Sequence, residues 1–225
     1  VSKVVLLSGG LDSAVTAWAA RQEDVEDDLY ALSFNYGQRH AAKELSCAEA
    51  LADRLEVQEH RIVALPSDLF RGSSLIDRSK NVPVEGLGED IPSTWVPQRN
   101  SLFLVIAFSW AEVLGADSVW LGANAVDYSG YPDCRPYFFE LMEESLNLAS
   151  KRYVTGEGIT RITTPVIGLT KAEEIRWGRD LGVPFEFTWS CYQGYDKACG
   201  VCDSCRIRLR AFSEAGLDDP IDYEE

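Results

Sequence analysis

Val4-Val5-Leu6-Leu7 runs directly into Ser8-Gly9-Gly10-Leu11-Asp12-Ser13. A continuous, partly β-branched apolar run reads as a strand covered on both faces, the habit of parallel sheets. Its abrupt end in a glycine pair, with a helix from Ser13 to Arg21 behind it, restricts the chain to a strand–loop–helix unit. The glycines let the backbone approach a ligand closely. The free N–H groups and dipole of the following helix favour an anion. A phosphate site is therefore expected here. It is not a Walker loop, because G-x-x-x-x-G-K-[ST] occurs nowhere in the chain. Asp12 suits a phosphate site only if a metal ion lies between, and Mg²⁺ is the expected bridge. The plainer alternative is a tight strand-to-helix turn capped by Ser or Asp. Five specified residues at the first strand–helix junction weigh against it.

The alternation continues along the chain. Strands are expected at Leu29 to Phe34, Val57 to Val63, Ser118 to Leu121 and Arg161 to Val166, and helices at Ala41 to Leu55, Ser101 to Leu114 and Tyr137 to Tyr153. Thr170 caps a helix over Lys171 to Leu181, with Glu173 placed for a capping box. A short helix is expected near Asp203 to Glu214, and Gly72 to Val96 reads as a long loop. The implied class is α/β, a parallel sheet with helices on both faces. Ligands of such sheets sit beyond the carboxyl ends of the strands. With 225 residues, one domain over 1–188 and a small C-terminal segment over 189–225 are expected.

Charge narrows the partners. Lys and Arg number 21 against 36 Asp and Glu, a net −15. That opposes passive binding to nucleic acid and to anionic membranes. Solubility explains the excess; the 6 Lys against 15 Arg also fit a salt-rich habitat. Val1 to Leu7 is too short for a signal peptide, and Ser101 to Val113, interrupted by Ser109 and Glu112, reads as a buried helix rather than a span. Cytoplasm is the expected compartment.

Cys191, Cys199, Cys202 and Cys205 read C-x7-C-x2-C-x2-C. Two-residue gaps let thiolates converge on one tetrahedral ion, and four such ligands make a structural zinc site. An iron–sulfur cluster is the alternative. Cys47 reads as core. After the fourth strand, Gly122 to Pro136 offers two carboxylates, two tyrosines, an arginine and the thiol of Cys134. Aromatic rings can stack on a planar heterocycle, a carboxylate can accept from a guanine-like N–H edge, and Arg135 could clamp a substrate carboxylate. A structured turn with surface tyrosines is the competing reading. Lys171, in the first turn of its helix, opposes the dipole and needs an anionic partner. Arg206, Arg208 and Arg210 read as a solvated helix face. No Ser-His-Asp arrangement is visible.

Ser8 to Ser13 resembles the SGGxDS loop of the N-type ATP pyrophosphatases. Phe34-Asn35-Tyr36-Gly37-Gln38-Arg39-His40, Val96-Pro97-Gln98-Arg99-Asn100, the run from Asn124 to Pro136 and the four-cysteine tail extend that likeness. Together they are similar to the QueC family, the 7-cyano-7-deazaguanine synthases, from Val4 to about Ala211. Gln98 stands where the family usually has Gly, and Tyr137 where an acidic residue is common.

The resemblance implies an adenine nucleotide α-hydrolase-like sheet and a two-stage reaction. ATP adenylates 7-carboxy-7-deazaguanine and ammonia displaces AMP; a second ATP activates the amide, and loss of AMP leaves the nitrile. It implies ATP, Mg²⁺ and Zn²⁺ as cofactors, and a homodimer. It places Leu7, Ser8, Gly9, Gly10, Leu11, Asp12, Ser13, Ala14 and Phe34 on ATP, with Asp12 on Mg²⁺. Arg99 and Lys171 offset phosphate charge; Asp127, Tyr128, Tyr131, Asp133 and Arg135 hold the deazaguanine. His40 orients a loop and Cys134 walls the pocket. A tRNA-modifying thiolase or amidine-forming enzyme of the same superfamily is the second reading, weighed down by the acidic surface. A zinc-ribbon interaction protein is the third, for which the phosphate loop has no use.

Overall fold

The computed structural model describes residues 1–83, 91–126 and 131–224. Five strands, β1 (Ser2–Leu6), β2 (Asp28–Asn35), β3 (Glu59–Ala64), β4 (Ser118–Leu121) and β5 (Arg161–Thr163), form one sheet in the order β3-β2-β1-β4-β5. Every pairing is parallel. Seven α-helices are present among the described residues: α1 (Leu11–Glu23), α2 (Ala41–Leu55), α3 (Arg99–Leu114), α4 (Pro136–Leu148), α5 (Lys151–Val154), α6 (Lys171–Leu181) and α7 (Asp203–Ala215).

The apolar run of β1 explains the layering. Successive side chains of a strand point to opposite faces. Val5 and Leu7 pack with Ala14 and Val15 of α1, Leu51 of α2, Ile175 of α6 and Phe212 of α7. Val4 and Leu6 pack on the other face with Leu104, Phe108 and Ala111 of α3 and with Phe139 of α4. Both faces are covered, as the unbroken run requires.

The chain walks outward from β1 through β2 to β3, then crosses back to place β4 on the other side of β1. The strand order therefore reverses between β1 and β4. Loops leaving the carboxyl ends of these two strands diverge there and open a crevice. The glycine loop follows β1, so the fold puts it at the reversal.

Three expectations need adjustment. The helix expected over Tyr137 to Tyr153 is two. Asn147 turns its amide to the carbonyls of Glu143 and Thr160, each at 2.8 Å. Ser150 and the N–H of Arg152 then bind the Glu112 carboxylate of α3, which starts α5. The strand expected from Arg161 stops at Thr163, because Pro165 has no N–H for a ladder and Ile167 N–H turns back to Thr164. α3 is not buried all round: Val105 and Val113 on its outer side are 45% and 80% exposed. The described parts of the loop after residue 72 are tightly held. Arg39 donates to the carbonyls of Ser74, Asp77 and Lys80, and Ser74 N–H pairs with Ser93. Among the described residues no helix is long and apolar enough to cross a membrane.

The C-terminal segment packs on the same body. α7 lies against α6, and Trp189 N–H donates to Gly9 O at 2.8 Å. The solvated face expected for Arg208 is wrong. Its guanidinium is 2% exposed and forms a bidentate pair with Asp219 at 2.8 and 2.9 Å.

Candidate active site

A cavity of about 270 Å³ opens where the strand order reverses. Its floor is the loop after β1. Ser8 N–H donates to Ser13 Oγ at 3.2 Å, Gly10 N–H to Ser8 Oγ at 3.2 Å, and Ser13 Oγ–H to Gly10 O at 2.9 Å. Backbone packs on backbone around this loop. Gly9 has φ +85, and a Cβ on it would lie 2.1 Å from Glu44 O of α2. A Cβ on Gly122, just past β4, would lie 2.6 Å from the Asp12 carbonyl. Only glycine fits either place.

Leu7, Ser8, Gly10, Leu11, Asp12, Ser13 and Phe34 line the cavity. Gly9 and Ala14 are not among its lining residues; Ala14 is fully buried in the core of α1. The Leu7 carbonyl accepts from Ser33 Oγ, and His60 Nε2 lies 2.7 Å from the same hydroxyl. Sequence reading did not pair these residues. The Ser33 proton is committed to Leu7, so the pair braces the loop entrance instead of forming a nucleophile.

The capping box of α6 is present: Glu173 N–H donates to Thr170 Oγ1 at 3.3 Å, and Thr170 N–H to Glu173 Oε2 at 2.8 Å. Asn124, after β4, donates to Leu169 O at 2.7 Å and so ties the approach to α6 to the crevice. The helix thereby delivers Lys171 to the loop, with Nζ 2.5 Å from Asp12 and 2.9 Å from Glu174. Here are the anions that a first-turn lysine requires. Burial works against the ammonium, yet Asp12 and Glu174 outweigh it and raise its pKa. Glu174 is fully buried, and burial pushes its own pKa up. Sequence reading missed Glu174, although its i+3 spacing from Lys171 was visible.

The opposite wall is aromatic. Phe34 stacks on Phe103 with centroids 3.9 Å apart, Tyr36 tilts against Phe103, and the Tyr131 hydroxyl lies 2.9 Å from Thr94 Oγ1. Arg99, the first residue of α3, sits among Tyr36, Tyr131, Cys134 and Asp133; burial disfavours its charge, but these neighbours outweigh burial and raise its pKa. Asp133 accepts the Asn100 N–H at 3.1 Å and faces Trp95 Nε1 at 3.4 Å. Its carboxylate thus satisfies an N–H at the start of α3. Asn100 Nδ2 donates to Asp133 O at 2.8 Å and to Cys134 Sγ at 3.4 Å. Burial pushes the Cys134 thiol up to about 11, so it stays protonated at neutral pH. Arg135 is exposed at the N-terminus of α4 and is not among the lining residues. Asp127 and Tyr128 lie outside the described residues.

Gln38, His40 and Glu44 close a third side. His40 Nε2 pairs with Glu44 at 3.3 Å, and Gln38 Nε2 donates to the other Glu44 oxygen at 3.1 Å. Burial works against both charges of the pair, but each partner outweighs it: His40 is raised and Glu44 lowered.

The four expected cysteines gather behind this wall, their sulfurs all within 4.8 Å of one another. Hydrogen bonds from Cys202 and Cys205 pull the Cys191 thiol well below its usual range. Four mutually close thiols, largely shielded from water, fit a soft metal ion, which would replace those protons.

The description "Queuosine biosynthesis protein QueC" matches residues 2–216. The chain belongs to the QueC family. The family likeness drawn from the motifs thus holds over nearly the whole chain. QueC relatives called 7-cyano-7-deazaguanine synthase are 52% identical over 222 residues in Stutzerimonas stutzeri (98% of this chain, 97% of the relative) and 46% identical over 224 residues in Trichormus variabilis (98% and 97%). Solved structures share the fold. NMN synthetase from Francisella tularensis matches with TM-score 0.50 and 16% identity, over 96% of this chain and 77% of that one. The U34-tRNA thiolase NcsA from Methanococcus maripaludis matches with TM-score 0.50 and 13% identity, over 95% and 64%. These distant likenesses show a shared fold.

Proposed function

We propose that this QueC chain is a 7-cyano-7-deazaguanine synthase that converts 7-carboxy-7-deazaguanine and ammonia to the nitrile at the expense of ATP. The observation that carries this reading is the convergence of Asp12, Lys171 and the glycine loop at the strand reversal. A loop of free amides at a helix N-terminus suits a polyphosphate. Asp12 would hold a Mg²⁺ ion, which would supply charge neutralisation at the phosphates. Lys171 then turns from Asp12 toward the phosphates while Glu174 keeps hold of it. The stacked Phe34 and Phe103 offer a planar surface to the adenine.

The site needs little acid–base machinery, because ATP supplies the leaving group. Its contribution is positioning and electrostatics. The aromatic wall of Tyr36 and Tyr131 accommodates the deazaguanine, and Cys134 packs beside it as a neutral thiol. The four cysteines would hold a structural Zn²⁺ that braces Trp189 against the loop. Asp127, Tyr128 and Asp133 remain our proposed shell around the base, Asp133 through its hold on α3. A homodimer in the cytoplasm is the proposed state, without nucleic acid as partner. The exposed apolar residues Val105 and Val113 of α3 and Leu141 and Leu148 of α4, on helices that pack together, suit a second copy.

The test is incubation with ATP, ammonium and 7-carboxy-7-deazaguanine, following AMP and nitrile by mass spectrometry. Both should accumulate without RNA. AMP formed only when tRNA is added would refute the reading. Asp12→Ala should abolish AMP release with the fold intact.

A further inference from the structure

Arg99, Lys171 and Arg208 line the cavity. Arg208 is paired with Asp219, and the other two are not equivalent. Lys171 lies between two carboxylates, Asp12 at 2.5 Å and Glu174 at 2.9 Å. Its charge is matched within the protein by Asp12. Arg99 has no carboxylate within ion-pairing distance among the described residues. The nearby Asp133 carboxylate is turned to the Asn100 N–H and to Trp95. Asp133 and Glu44 lie near enough to act on the guanidinium, but neither is in ion-pair contact with it, so a ligand anion can still engage its N–H donors.

The surroundings say which end of the reaction it serves. Asn100, next to Arg99, bonds Asp133 and Cys134, and Phe103 one turn along α3 lies against Tyr36. Arg99 therefore stands among Tyr36, Tyr131, Cys134 and Asp133, with Glu44 also acting on it; Lys171 stands at Asp12 and Glu174. Cys134 feels both Arg99 and Asp12, so it marks the ground between the two neighbourhoods. The arginine belongs to the aromatic end and the lysine to the phosphate loop. A planar, rigid fork of N–H donors beside aromatic rings matches a carboxylate carried on a flat heterocycle. Asp133 accepts the Asn100 N–H and Gln98 O accepts the Leu102 N–H, so the backbone that carries Arg99 is fixed.

We propose that Arg99 is the specificity residue for the substrate's carboxylate, and not a phosphate ligand. This rests on the synthase reading above and assigns Arg99 a role different from the phosphate one its motif suggests. In the first half-reaction a carboxylate oxygen attacks the α-phosphorus of ATP. The new C–O–P bond forms as the bond to the β-phosphate breaks, and pyrophosphate leaves with the electron pair. Ammonia then adds to the acyl carbon, AMP leaves and one proton is lost, giving the amide. Arg99 orients the carboxylate with one guanidinium edge while the attacking oxygen faces the loop. The amide of the second half-reaction offers one acceptor oxygen and an NH₂ that points donors at donors. There the amide oxygen attacks the α-phosphorus of ATP as pyrophosphate leaves with the electron pair, two protons are lost in all, and AMP leaves as the nitrile forms. Arg99 therefore serves the acid more than the amide.

The experiment assays each half-reaction separately, with the acid or with the amide as starting substrate, for wild type, Arg99→Gln and Arg99→Lys. Arg99→Gln should lower kcat/KM for the acid by about 30-fold or more, the low end of what loss of one partner of a buried charge pair costs. The amide half-reaction should lose at least about tenfold less, KM for ATP should hold, and Arg99→Lys should fall between. Equal losses in both halves, or a raised KM for ATP in both, would overturn the proposal in favour of phosphate binding. Calorimetry on wild type keeps the test independent of variant folding. The acid should bind more tightly than the amide, and equal affinity would also overturn it. Wild type that forms no AMP from the acid would instead sink the synthase reading itself.

Discussion

Arg208→Met should cost this protein about 3–5 kcal/mol of stability, the range for stripping one partner from a buried ion pair. Arg208 and Asp219 are 2% and 4% exposed, so neither charge has water to fall back on. Arg208 meets Asp219 through two bonds, Nε–Oδ2 at 2.8 Å and an Nη2–Oδ1 bond at 2.9 Å. It also donates to Thr188 Oγ1 at 2.8 Å and to the Phe185 carbonyl at 3.3 Å. Methionine fills much of the volume but supplies none of these donors. Asp219 is then left with the Tyr223 hydroxyl at 2.6 Å and the Ile221 N–H at 3.3 Å. For a chain of this size each kcal/mol moves the melting temperature by about 2–4 °C, so a drop of about 6–20 °C is expected. Urea unfolding followed by circular dichroism measures the free energy and a thermal melt the second quantity. The double variant Arg208→Met with Asp219→Leu should recover more than half the loss, because no unpaired charge remains. A loss below about 1 kcal/mol for the single variant, or no recovery in the double, would refute the reasoning.

Gln98 holds φ 56 at the N-cap of α3, a left-handed conformation that suits glycine, the residue its family relatives were expected to carry there. Gln98→Gly should leave stability unchanged or raise it by up to about 1 kcal/mol, relief of strain being partly offset by unfolded-state entropy; a clear loss in urea unfolding would contradict this. Gly122→Ala should lower kcat/KM for ATP by up to about 100-fold by pushing on the Asp12 backbone, with steady-state kinetics as the check; unchanged ATP kinetics would remove the backbone contact from the argument. The His40–Glu44 pair predicts a pH effect. Because the folded pKa of His40 is raised from 6.5, its contribution is fully present below that value and is lost as pH rises through the folded pKa; Glu44, lowered from 4.5, contributes above its unfolded value and loses this as pH falls. In Glu44→Gln the two Glu44 contributions vanish while burial still opposes the charge and Tyr192 and Cys191 still favour it, so the folded pKa of His40 falls and the loss of stability with rising pH between about 5 and 7 is weaker. Urea midpoints across that range decide it: parallel slopes in the two proteins would contradict the pairing.

Features with short-range causes were readable before the fold was known. The apolar run of β1, the glycine loop, the capping box at Thr170 and the cysteine spacing each carry their reason within a few residues. Lys171 announced that it needed an anion, but the sequence did not say which, and the loop across the crevice supplied Asp12. Arg208 looked like surface because its counter-charge lies eleven positions on, beyond the end of α7, where helix periodicity says nothing. Asp133 looked like a ligand for a base edge; tertiary contact makes it the partner of an N–H at the start of α3. Asn147 and Ser150 break a well-patterned helix only because Thr160 and Glu112 wait beside them. Ser33 and His60 meet across neighbouring strands, and nothing local marks that pairing.

The bond from Trp189 N–H to Gly9 O has a consequence for the order in which this molecule comes into being. Gly9 precedes Trp189 by most of the sheet, so synthesis delivers the glycine loop long before its brace. Trp189 is itself steadied by the cysteine cluster and by Arg208, whose partner Asp219 comes later still. A growing chain can pair β1 with β2 early, yet it cannot brace the glycine loop until Trp189 has emerged. A copy whose Trp189 has yet to emerge should therefore hold the Gly9 loop loosely, so the loop takes its shape only through contact between distant parts of the chain.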